Sequence, residues 1–408
     1  MYHSRLAESR LEQFLEFFPV VAVLGARQVG KTTLVETILG DRFKSITFDP
    51  VQDIGQARSD PDLFLQNNPP PLFLDEVQYA PELLSAIKRR VDKIGGTGHY
   101  VISGSQNLTV LKDVSESLAG RVGILNLLPM SRREIHSSTQ NGILKDWLHD
   151  GSLPEDLAMS EDSVPAFDAV FRGGYPRLLT FPDDMLFSFF DSYMQTYIER
   201  DVRKVADIGN LQTFGAFIRL LAAHTAQEVN QNQLGRELGV DRKTAVAWTE
   251  IAESTYQWLT IPAYTRNPLK RILRKGKGVF MDTGFACYLQ RISAPEAIAG
   301  HPMQGRLFES YVILEILKSF QNWPARPSLY HFRTYAGAEV DLILEFNGKL
   351  YPIEIKCKSN PGIGDCRGFA SFRDCFPREH VMPGLLVCAV ERATRMREDV
   401  WAIPWWLI

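Results

Sequence analysis

The sequence predicts an α/β protein that begins with a parallel β-sheet and continues into parts of different character. Between residues 19 and 127, short apolar segments alternate with helical segments, as in sheets whose strands are buried under helices. A glycine-rich loop joins the first of these strands to a helix. The pattern is mostly helical from residue 128, and strands with a central hairpin follow residue 301. We therefore expect four regions, with the boundaries 1–130, 131–210, 211–295 and 296–408.

Each element of the first region has its own signal. Apolar residues at helical spacing predict a helix over residues 5–18. Short apolar runs predict five strands, at 20–24, 45–49, 71–74, 100–103 and 122–127, with helices ending near residue 39 and covering 81–94. Ligands of such sheets collect at the carboxyl ends of the strands, so the residues that follow each strand are the candidates for function.

The glycine loop has the pattern Gly-x-x-x-x-Gly-Lys-Thr. Such a loop directs backbone N–H groups at a phosphate, and the following helix adds its positive end. Lys31 would reach the β- and γ-phosphates of a nucleotide, and the hydroxyl of Thr32 would bind Mg²⁺. A plain glycine turn is the alternative. The predicted nucleotide contacts are Gly25, Ala26, Arg27, Gln28, Val29, Gly30, Lys31, Thr32 and Thr33.

Two adjacent acids, Asp75 and Glu76, end the apolar strand at 71–74. Asp75 would hold Mg²⁺ through water, opposite Thr32. Glu76 would polarise the attacking water or accept its proton. The alternative is that both acids only cap the next helix.

Further catalytic candidates follow the next strand. Ser105, in a polar segment that ends with Gln106 and Asn107, would sense the γ-phosphate or the water; a plain turn is the alternative. Arg121 would stabilise charge in the transition state, or it would form a structural salt bridge. The residues themselves do not decide between these roles.

Residues 19–127 resemble the AAA+ superfamily of P-loop ATPases, with 25–32 as Walker A and 72–76 as Walker B. The resemblance implies ATP binding and probable hydrolysis with Mg²⁺. It extends to a prokaryotic group in which the ATPase precedes a winged-helix-like segment and a C-terminal nuclease-like domain. No distinct second arginine finger accompanies these motifs, so the oligomeric state stays open. The other segments that carry the resemblance are 118–121, 171–176, 197–202 and 282–284.

Residues 211–281 predict a helix-turn-helix with a hairpin. A helix near 211–226 precedes a glycine turn and a second helix, for which Asp241 is the expected N-cap. The stretch 266–277 has six basic residues, including Lys270 and Arg271, and no acid. Contact with DNA phosphates is one interpretation, and a solvated loop or a protein contact is the other. Trp248 and Trp258 are expected in the core.

Asn347 and Gly348 predict a tight hairpin between two alternating strands. Counting from this turn places Asp341 opposite Glu354, and Glu339 opposite Lys356, on one face of the sheet. Two facing carboxylates repel unless a cation or a proton lies between them. The other face would be the core, formed by Val340, Leu342, Leu344, Phe346, Tyr351, Ile353 and Ile355.

Asp341, Glu354 and Lys356 resemble the PD-(D/E)XK nuclease motif, and Glu309 matches the acid that this fold often carries on its preceding helix. The sequence departs from the pattern at Val340 and at a proline within the second strand. The resemblance implies a second Mg²⁺ site formed by the three acids with Lys356. The alternatives are a solvated sheet face with an ordinary Glu339–Lys356 pair and, for the whole chain, a nucleotide-dependent switch or protein-interaction scaffold whose nuclease-like domain is inert.

Composition predicts a cytoplasmic location. Five cysteines without close pairs argue against a disulfide framework. Residues 1–18 are charged throughout, so we expect no signal peptide. No apolar run reaches about 18 residues, so no membrane span is expected. The net charge of −3 confines any surface that binds nucleic acid to a local patch.

Overall fold

The computed structural model describes residues 2–48, 54–105, 118–137, 142–153, 165–197, 202, 211–267 and 274–408. Within these ranges the strands form three sheets, of five, six and three strands. The predicted α/β class, with a parallel sheet first and further sheets later, is confirmed. The described helices include none that is both long and apolar enough to cross a membrane.

The five-stranded sheet has the strand order β2-β3-β4-β1-β5, and every neighbouring pair is parallel. All five predicted strands are present to within a residue or two at their ends. The elements are α1 (Glu8–Phe17), β1 (Val20–Leu24), α2 (Lys31–Leu39), β2 (Lys44–Thr47), α3 (Ile54–Ser59), α4 (Pro61–Asn67), β3 (Leu72–Asp75), α5 (Glu82–Ile94), β4 (Tyr100–Gly104) and β5 (Val122–Asn126).

Strand β1, which lies between β4 and β5, is buried on both faces, and this explains its continuous apolar sequence. Val21 and Val23 belong to one hydrophobic cluster, and Val20, Ala22 and Leu24 belong to another. This alternation is the period of two that a strand imposes on its side chains. The sheet is thus fixed between two cores, and its carboxyl edge is held at a constant position.

Helices dominate the described residues between the first sheet and residue 223, as predicted. Asp282 links this part to the next, because its carboxylate accepts hydrogen bonds from the backbone N–H of Gly174 at 2.8 Å and of Phe285 at 2.9 Å. The helices are α6 (Arg132–Ile135), α7 (Leu144–Asp150), α8 (Ala166–Arg172), α9 (Leu186–Thr196) and α10 (Leu211–Ala223).

The predicted helix-turn-helix elements and the hairpin are present. Asp241 caps its helix by accepting a hydrogen bond from the Thr244 N–H at 2.7 Å, and Trp248 and Trp258 are buried. The three strands lie in the order β6-β8-β7, all antiparallel. The elements are β6 (Gln227–Glu228), α11 (Gln231–Leu238), α12 (Arg242–Ser254), β7 (Trp258–Ile261), β8 (Lys277–Phe280) and α13 (Thr283–Leu289).

We number three parts by their sheets: the first part ends with β5, the second part contains β6 to β8, and the third part is residues 304–408. The third part forms the six-stranded sheet, in the order β13-β14-β12-β11-β10-β9. Strands β9, β10 and β11 are antiparallel, β11, β12 and β14 are parallel, and β13 is an antiparallel edge. The elements are α14 (Gln304–Ser319), β9 (Ser328–Arg333), β10 (Glu339–Phe346), β11 (Lys349–Lys356), α15 (Arg367–Cys375), β12 (Gly384–Cys388), β13 (Thr394–Arg397) and β14 (Val400–Pro404).

The predicted hairpin register is right near the turn and wrong beyond it. Phe346 pairs with Lys349 and Leu342 with Ile353, as counted. The pairing of β10 with β9 then shifts between Val340 and Ile343. A bulge of this kind reverses the faces of the residues beyond it, so Val340 packs in the cluster of Phe369 and Phe372 rather than with Leu342 and Leu344.

The bulge also overturns the predicted pairing of Glu339 with Lys356. Glu339 is exposed and lies 3.8 Å from the guanidinium of Arg333 on β9. Lys356 instead contacts Glu354 and Asp341. The ordinary surface pair that we considered as an alternative is therefore wrong.

The segment after β7 joins the second part to the third. The Tyr264 N–H donates to the His331 carbonyl at 2.7 Å, and the His331 N–H donates to the Pro262 carbonyl at 3.0 Å. The imidazole of His331 is buried, and its Nε2 donates to the Lys275 carbonyl at 3.1 Å. Burial, together with the nearby charge of Lys277, lowers the pKa of His331 to about 4.

This low pKa makes the stability of the junction dependent on pH. The unfolded chain binds a proton at His331 below about pH 6.5, whereas the folded chain does not until about pH 4. We expect the free energy of unfolding to fall by about 2 kcal/mol from this residue between pH 7 and pH 5. His331→Gln, which keeps an N–H donor and does not titrate, should reduce that fall in urea denaturation. An equal pH dependence in the variant would contradict the prediction.

Candidate functional site

The glycine loop lies between β1 and α2, at the carboxyl edge of the first sheet. Gly30 precedes the helix with a φ of 92°, a conformation that strains other residues. A Cβ atom on Gly25 would lie 2.3 Å from the carbonyl oxygen of Leu127, so only glycine fits against the segment after β5. Both glycines of the motif are therefore required by geometry.

Lys31 is buried and its ammonium bends back over the loop. Its Nζ donates to the carbonyl oxygens of Gly25 at 3.0 Å and Ala26 at 2.9 Å. It is the first residue of α2, so its charge adds to the positive end of the helix. The loop is arranged to attract an anion. Of the other predicted contacts, Gln28 and Thr33 are exposed, and the side chain of Val29 is in the core.

Thr32 and Asp75 meet as the sequence predicts. The Thr32 hydroxyl donates to Asp75 Oδ2 at 2.7 Å. The other carboxylate oxygen of Asp75 accepts from the Ser103 hydroxyl and, at 3.1 Å, from the Glu76 N–H. The hydroxyl and the carboxylate that would hold Mg²⁺ therefore lie together, and these residues fit the ion that the motif implies.

Ser103 and Gln78 also belong to this site; the sequence placed Ser103 only within the polar segment expected near the γ-phosphate, and it did not indicate Gln78. Ser103 is a buried polar residue within the apolar strand β4, and that contrast was a usable signal. Gln78 Nε2 donates to the carboxylate of Glu76 and lies 3.5 Å from the hydroxyl of Ser105. The structure thus brings Glu76 and Ser105 to one amide, whereas Gln106 and Asn107 lie outside the described residues.

Arg121 lies at the opposite edge of the sheet, away from the glycine loop of the same chain, and it forms the salt bridge considered as the alternative. It precedes β5, and its carbonyl accepts from the Val20 N–H at the amino end of β1. Its guanidinium pairs with Asp92, at 2.5 and 3.0 Å. The hydrogen bond from Arg121 lowers the pKa of the Asp92 carboxyl. The alternative of a structural salt bridge is confirmed.

Arg5 supports the loop from below, and no sequence signal indicated it. This buried guanidinium donates to the carbonyl oxygens of Val29 at 2.8 Å and Leu128 at 2.7 Å, and to the carboxylate of Glu134 at 3.0 Å. The same Glu134 oxygen accepts from the Leu6 N–H at 2.7 Å. Arg5 therefore ties the loop to the segment that follows β5.

That segment, residues 128–135, is held in turn by α14 and the residues after it. Gln321 accepts from the Leu128 N–H at 3.2 Å, and Lys318 donates to the Met130 carbonyl at 3.0 Å. Glu315 accepts from the Arg132 N–H at 2.7 Å. A continuous set of buried polar contacts thus joins the glycine loop to the helix of the third part.

A second group of charges lies at the other end of α14. Lys277 Nζ is 2.5 Å from Glu309 Oε1 and 3.2 Å from Asp341 Oδ1. Lys356 Nζ is 2.6 Å from Glu354 Oε1 and 3.5 Å from Asp341 Oδ2. We call these five residues the carboxylate cluster. The structure confirms that the four residues predicted here lie together, and it adds Lys277.

The electrostatics of the carboxylate cluster are governed by burial. Burial and the neighbouring Asp341 raise the pKa of Glu309 and that of Glu354 to about 8. Burial also opposes ionisation of Asp341, but Lys277 and Lys356 hold the pKa of this carboxyl below its ordinary value. The carboxylates of Glu309 and Asp341 raise the pKa of Lys277, so it stays an ammonium.

As it stands, the carboxylate cluster does not fit a divalent metal. Among the described residues, no three acid, histidine or cysteine side chains are grouped so that they could hold one. The ammonium of Lys277 lies between Glu309 and Asp341, where a bridging metal would need both oxygens. The second Mg²⁺ site stays a prediction that requires Lys277 to move.

Two side chains of the basic stretch, residues 266–277, already pair with acids of the protein. Arg266 pairs with Glu379 at 2.9 Å, and Lys277 is buried in the carboxylate cluster. Arg274 and Lys275 are exposed. Lys270 and Arg271 lie outside the described residues. Lys277 is therefore not available to a phosphate in this arrangement, whereas 47% of the Arg266 side chain stays accessible.

The buried pair of Arg5 and Glu134 generates a stability prediction. We expect Arg5→Ala and Glu134→Ala each to lower the free energy of unfolding by about 3–5 kcal/mol, because each leaves a buried charge unpaired. The double variant should lose less than the sum of the two. The measurement is chemical denaturation.

The control is Arg89→Ala. The Arg89–Asp62 pair is exposed, with 57% and 64% of the two side chains accessible, and its loss should cost less than about 1 kcal/mol. Losses of similar size at Arg5 and Arg89 would show that the buried pair has no special role.

Comparison with known families agrees with this geometry. Residues 18–136 match the family model described as an AAA domain. Residues 166–296 match a family described as a domain of unknown function (DUF8612), and residues 304–408 match another, DUF4143.

Relatives and solved structures are more distant. The uncharacterized proteins Rv2008c of Mycobacterium tuberculosis and Mb2031c of Mycobacterium bovis are each 29% identical over 360 residues, which cover 88% of this chain and 75% of each relative. The Walker-type ATPase PABY2304 of Pyrococcus abyssi is 17% identical, with a TM-score of 0.45 over 71% of this chain and 96% of that one. The RuvB Holliday junction branch migration motor of Thermotoga maritima is 17% identical, with a TM-score of 0.32 over 66% and 94%. Residues 18–136 are thus similar in sequence to AAA domains, and the geometry of the glycine loop and Asp75 agrees with a P-loop nucleotide-binding fold.

Proposed function

We propose that this protein is a Mg²⁺-dependent ATPase that works as a nucleotide-driven switch on its own C-terminal half. The observation that carries the proposal is the contact of Thr32 with Asp75, beside the buried ammonium of Lys31. This arrangement would provide a phosphate site and a magnesium site at one edge of the sheet. The proposed domain boundaries are those expected from the sequence, and the proposed location is the cytoplasm.

Each residue of the glycine-loop site would have a separate role in ATP hydrolysis. Lys31 and the N–H groups of the loop would bind the phosphates, and Thr32 with Asp75 would hold Mg²⁺. When bound, the ion supplies positive charge against the charge that develops on the phosphate oxygens. Glu76 would orient water for attack on the γ-phosphorus and receive its proton. Gln78, which contacts Glu76 and lies near Ser105, would position that carboxylate.

Lys31→Ala should abolish ATP binding, because it removes the ammonium at the phosphate site. Glu76→Gln should keep ATP binding and lower kcat by about 10²-fold or more, because the proton acceptor is lost. Fluorescent nucleotide titration and phosphate release measure the two effects separately. Normal turnover in Lys31→Ala would remove the ATPase assignment.

Arg121→Ala tests whether Arg121 has the catalytic role that the sequence predicted. Its side chain pairs with Asp92 at the far edge of the sheet, so we expect kcat and KM within about twofold of the parent, since exposed pairs contribute little. Loss of hydrolysis with intact ATP binding would mean that Arg121 acts on the site of another copy of the chain.

The path of the switch is proposed to be residues 128–135. Arg5 joins this segment to the glycine loop, and Glu315 and Lys318 join it to α14. A change in the loop on ATP binding would therefore reach α14 through hydrogen bonds that are all buried or partly buried.

Hydrogen exchange tests this path. ATP with Mg²⁺ should slow amide exchange in residues 128–135 and 304–321 as well as in the loop. In Lys318→Met the effect should persist in the loop and weaken in α14. Slowing confined to the loop in the parent protein would sink the proposed path while leaving the ATPase intact.

For the C-terminal half, the pairing of two basic side chains favours a second candidate function, a scaffold that does not cleave nucleic acid. The resemblance suggests a nuclease-like domain, joined to a winged-helix-like segment that would bind DNA. Lys277 and Arg266, however, are already paired with acids of the third part. We therefore favour a switch or interaction scaffold in which the nuclease-like domain does not cleave.

The corresponding assay uses single- and double-stranded DNA and RNA with Mg²⁺ or Mn²⁺. We expect no cleavage by the parent protein. Cleavage that is lost in both Asp341→Ala and Glu354→Ala would instead establish a nuclease. DNA binding that weakens with salt and on neutralising Lys270 and Arg271 would restore the DNA-binding interpretation of the basic stretch.

A further inference from the structure

The backbone of Lys277 belongs to the three-stranded sheet, but its side chain contacts acids of the third part. It is the first residue of β8, whose partners are β6 and β7. Its ammonium reaches Glu309 on α14 and both the carboxylate and the carbonyl of Asp341 on β10, the carbonyl at 3.1 Å. Only 8% of the residue is exposed. A lysine is buried to this extent only when its charge is fully paired.

The carboxylate cluster contains three carboxyl groups and two ammonium groups, so a carboxyl oxygen is left over when both ammonium groups are paired. Glu354 is 5% exposed. Its Oε2 is buried and has no hydrogen-bond partner among the described residues. A buried carboxyl oxygen without a partner is costly, and the other oxygen of the same group is paired with Lys356.

We infer that Lys277 excludes divalent metal from the Glu309–Asp341–Glu354 group, and that the group can take such a metal only when β8 withdraws this side chain. The inference goes beyond the proposed ATPase, since it concerns a contact at the other end of α14. It explains why acids with the composition of a metal site are not arranged as one.

The two cations compete for the same oxygens. Mg²⁺ binds carboxylate oxygens at about 2.0–2.1 Å, and Glu309 Oε1 and Asp341 Oδ1 are 2.5 and 3.2 Å from Nζ of Lys277. A metal bound to both oxygens would occupy the position of the ammonium and repel it. One ligand must therefore leave before the other enters.

The backbone of Lys277 is held firmly, so withdrawal would involve its whole hairpin. Ala226 and Val229 donate to the carbonyl oxygens of Gly278 at 2.7 Å and Gly276 at 2.9 Å. The ring of Trp258 covers Gly278 so closely that a Cβ there would lie 1.7 Å from it. The contact of Lys277 with the acids is thus made from a firmly held hairpin of the second part.

The test is to measure Mn²⁺ binding to the full-length protein without nucleotide, with electron paramagnetic resonance as the readout. We expect Lys277→Gln to gain a site about tenfold or more tighter than any in the parent, because one positive charge is removed from the carboxylates. Lys277→Arg, which keeps the charge, should resemble the parent. The gained site should disappear in Lys277→Gln/Asp341→Asn, and ATP binding in all variants serves as the check of folding.

Parent protein that binds Mn²⁺ as tightly as Lys277→Gln, in a manner that depends on Asp341, would overturn the inference. So would a folded Lys277→Gln protein that gains no site. If Lys277→Gln does not fold, reductive methylation of the parent decides, with exposed Lys275 as the internal control. Lys277 should be protected without metal and should gain label only where Mn²⁺ binds. Asp341-dependent Mn²⁺ binding with Lys277 still protected would refute exclusion.

Discussion

The buried pair of Arg5 and Glu134 is the interaction on which the arrangement of the first region depends. The guanidinium satisfies carbonyl oxygens from two neighbouring segments, the glycine loop at Val29 and the strand exit at Leu128. A buried ion pair gives little net stability but strongly penalises any arrangement that separates its members. Its effect is therefore specificity: the loop can take its conformation only when residues 128–135 are in place.

The carboxylate cluster is a second group of buried ion pairs, and it lies where β8 of the second part meets α14 and β10 of the third part. Lys277 is stable in its buried position because two carboxylates face it, and Glu309 and Asp341 are stable because Lys277 faces them. Separation of the two regions would expose or orphan all three charges at once. The buried imidazole of His331, held neutral nearby, acts in the other direction in mild acid, because only the opened junction takes up its proton.

Sequence patterns were sufficient for what depends on local order and insufficient for what depends on distant contacts. The five parallel strands, the hairpin turn and the meeting of Thr32 with Asp75 follow from periodicity and from the rule for strand ends. The bulge before Ile343 has no signal of its own, because counting from the turn assumes an unbroken ladder. Arg5 and Lys277 resembled surface charges, since burial of a cation is decided by acids more than thirty positions away.

The helix α14 connects the two buried charge systems and explains why they need not act independently. Glu309 lies in its first half, and Glu315 and Lys318 lie in its second half against residues 128–135. Nine residues at about 1.5 Å each separate Glu309 from Lys318 along the axis by about 14 Å, and nearly the whole helix is buried. Close-packed interiors transmit strain rather than absorb it. In the proposed switch, a shift imposed on α14 by residues 128–135 would therefore reach Glu309, which faces a lysine, Lys277, whose backbone belongs to a different sheet.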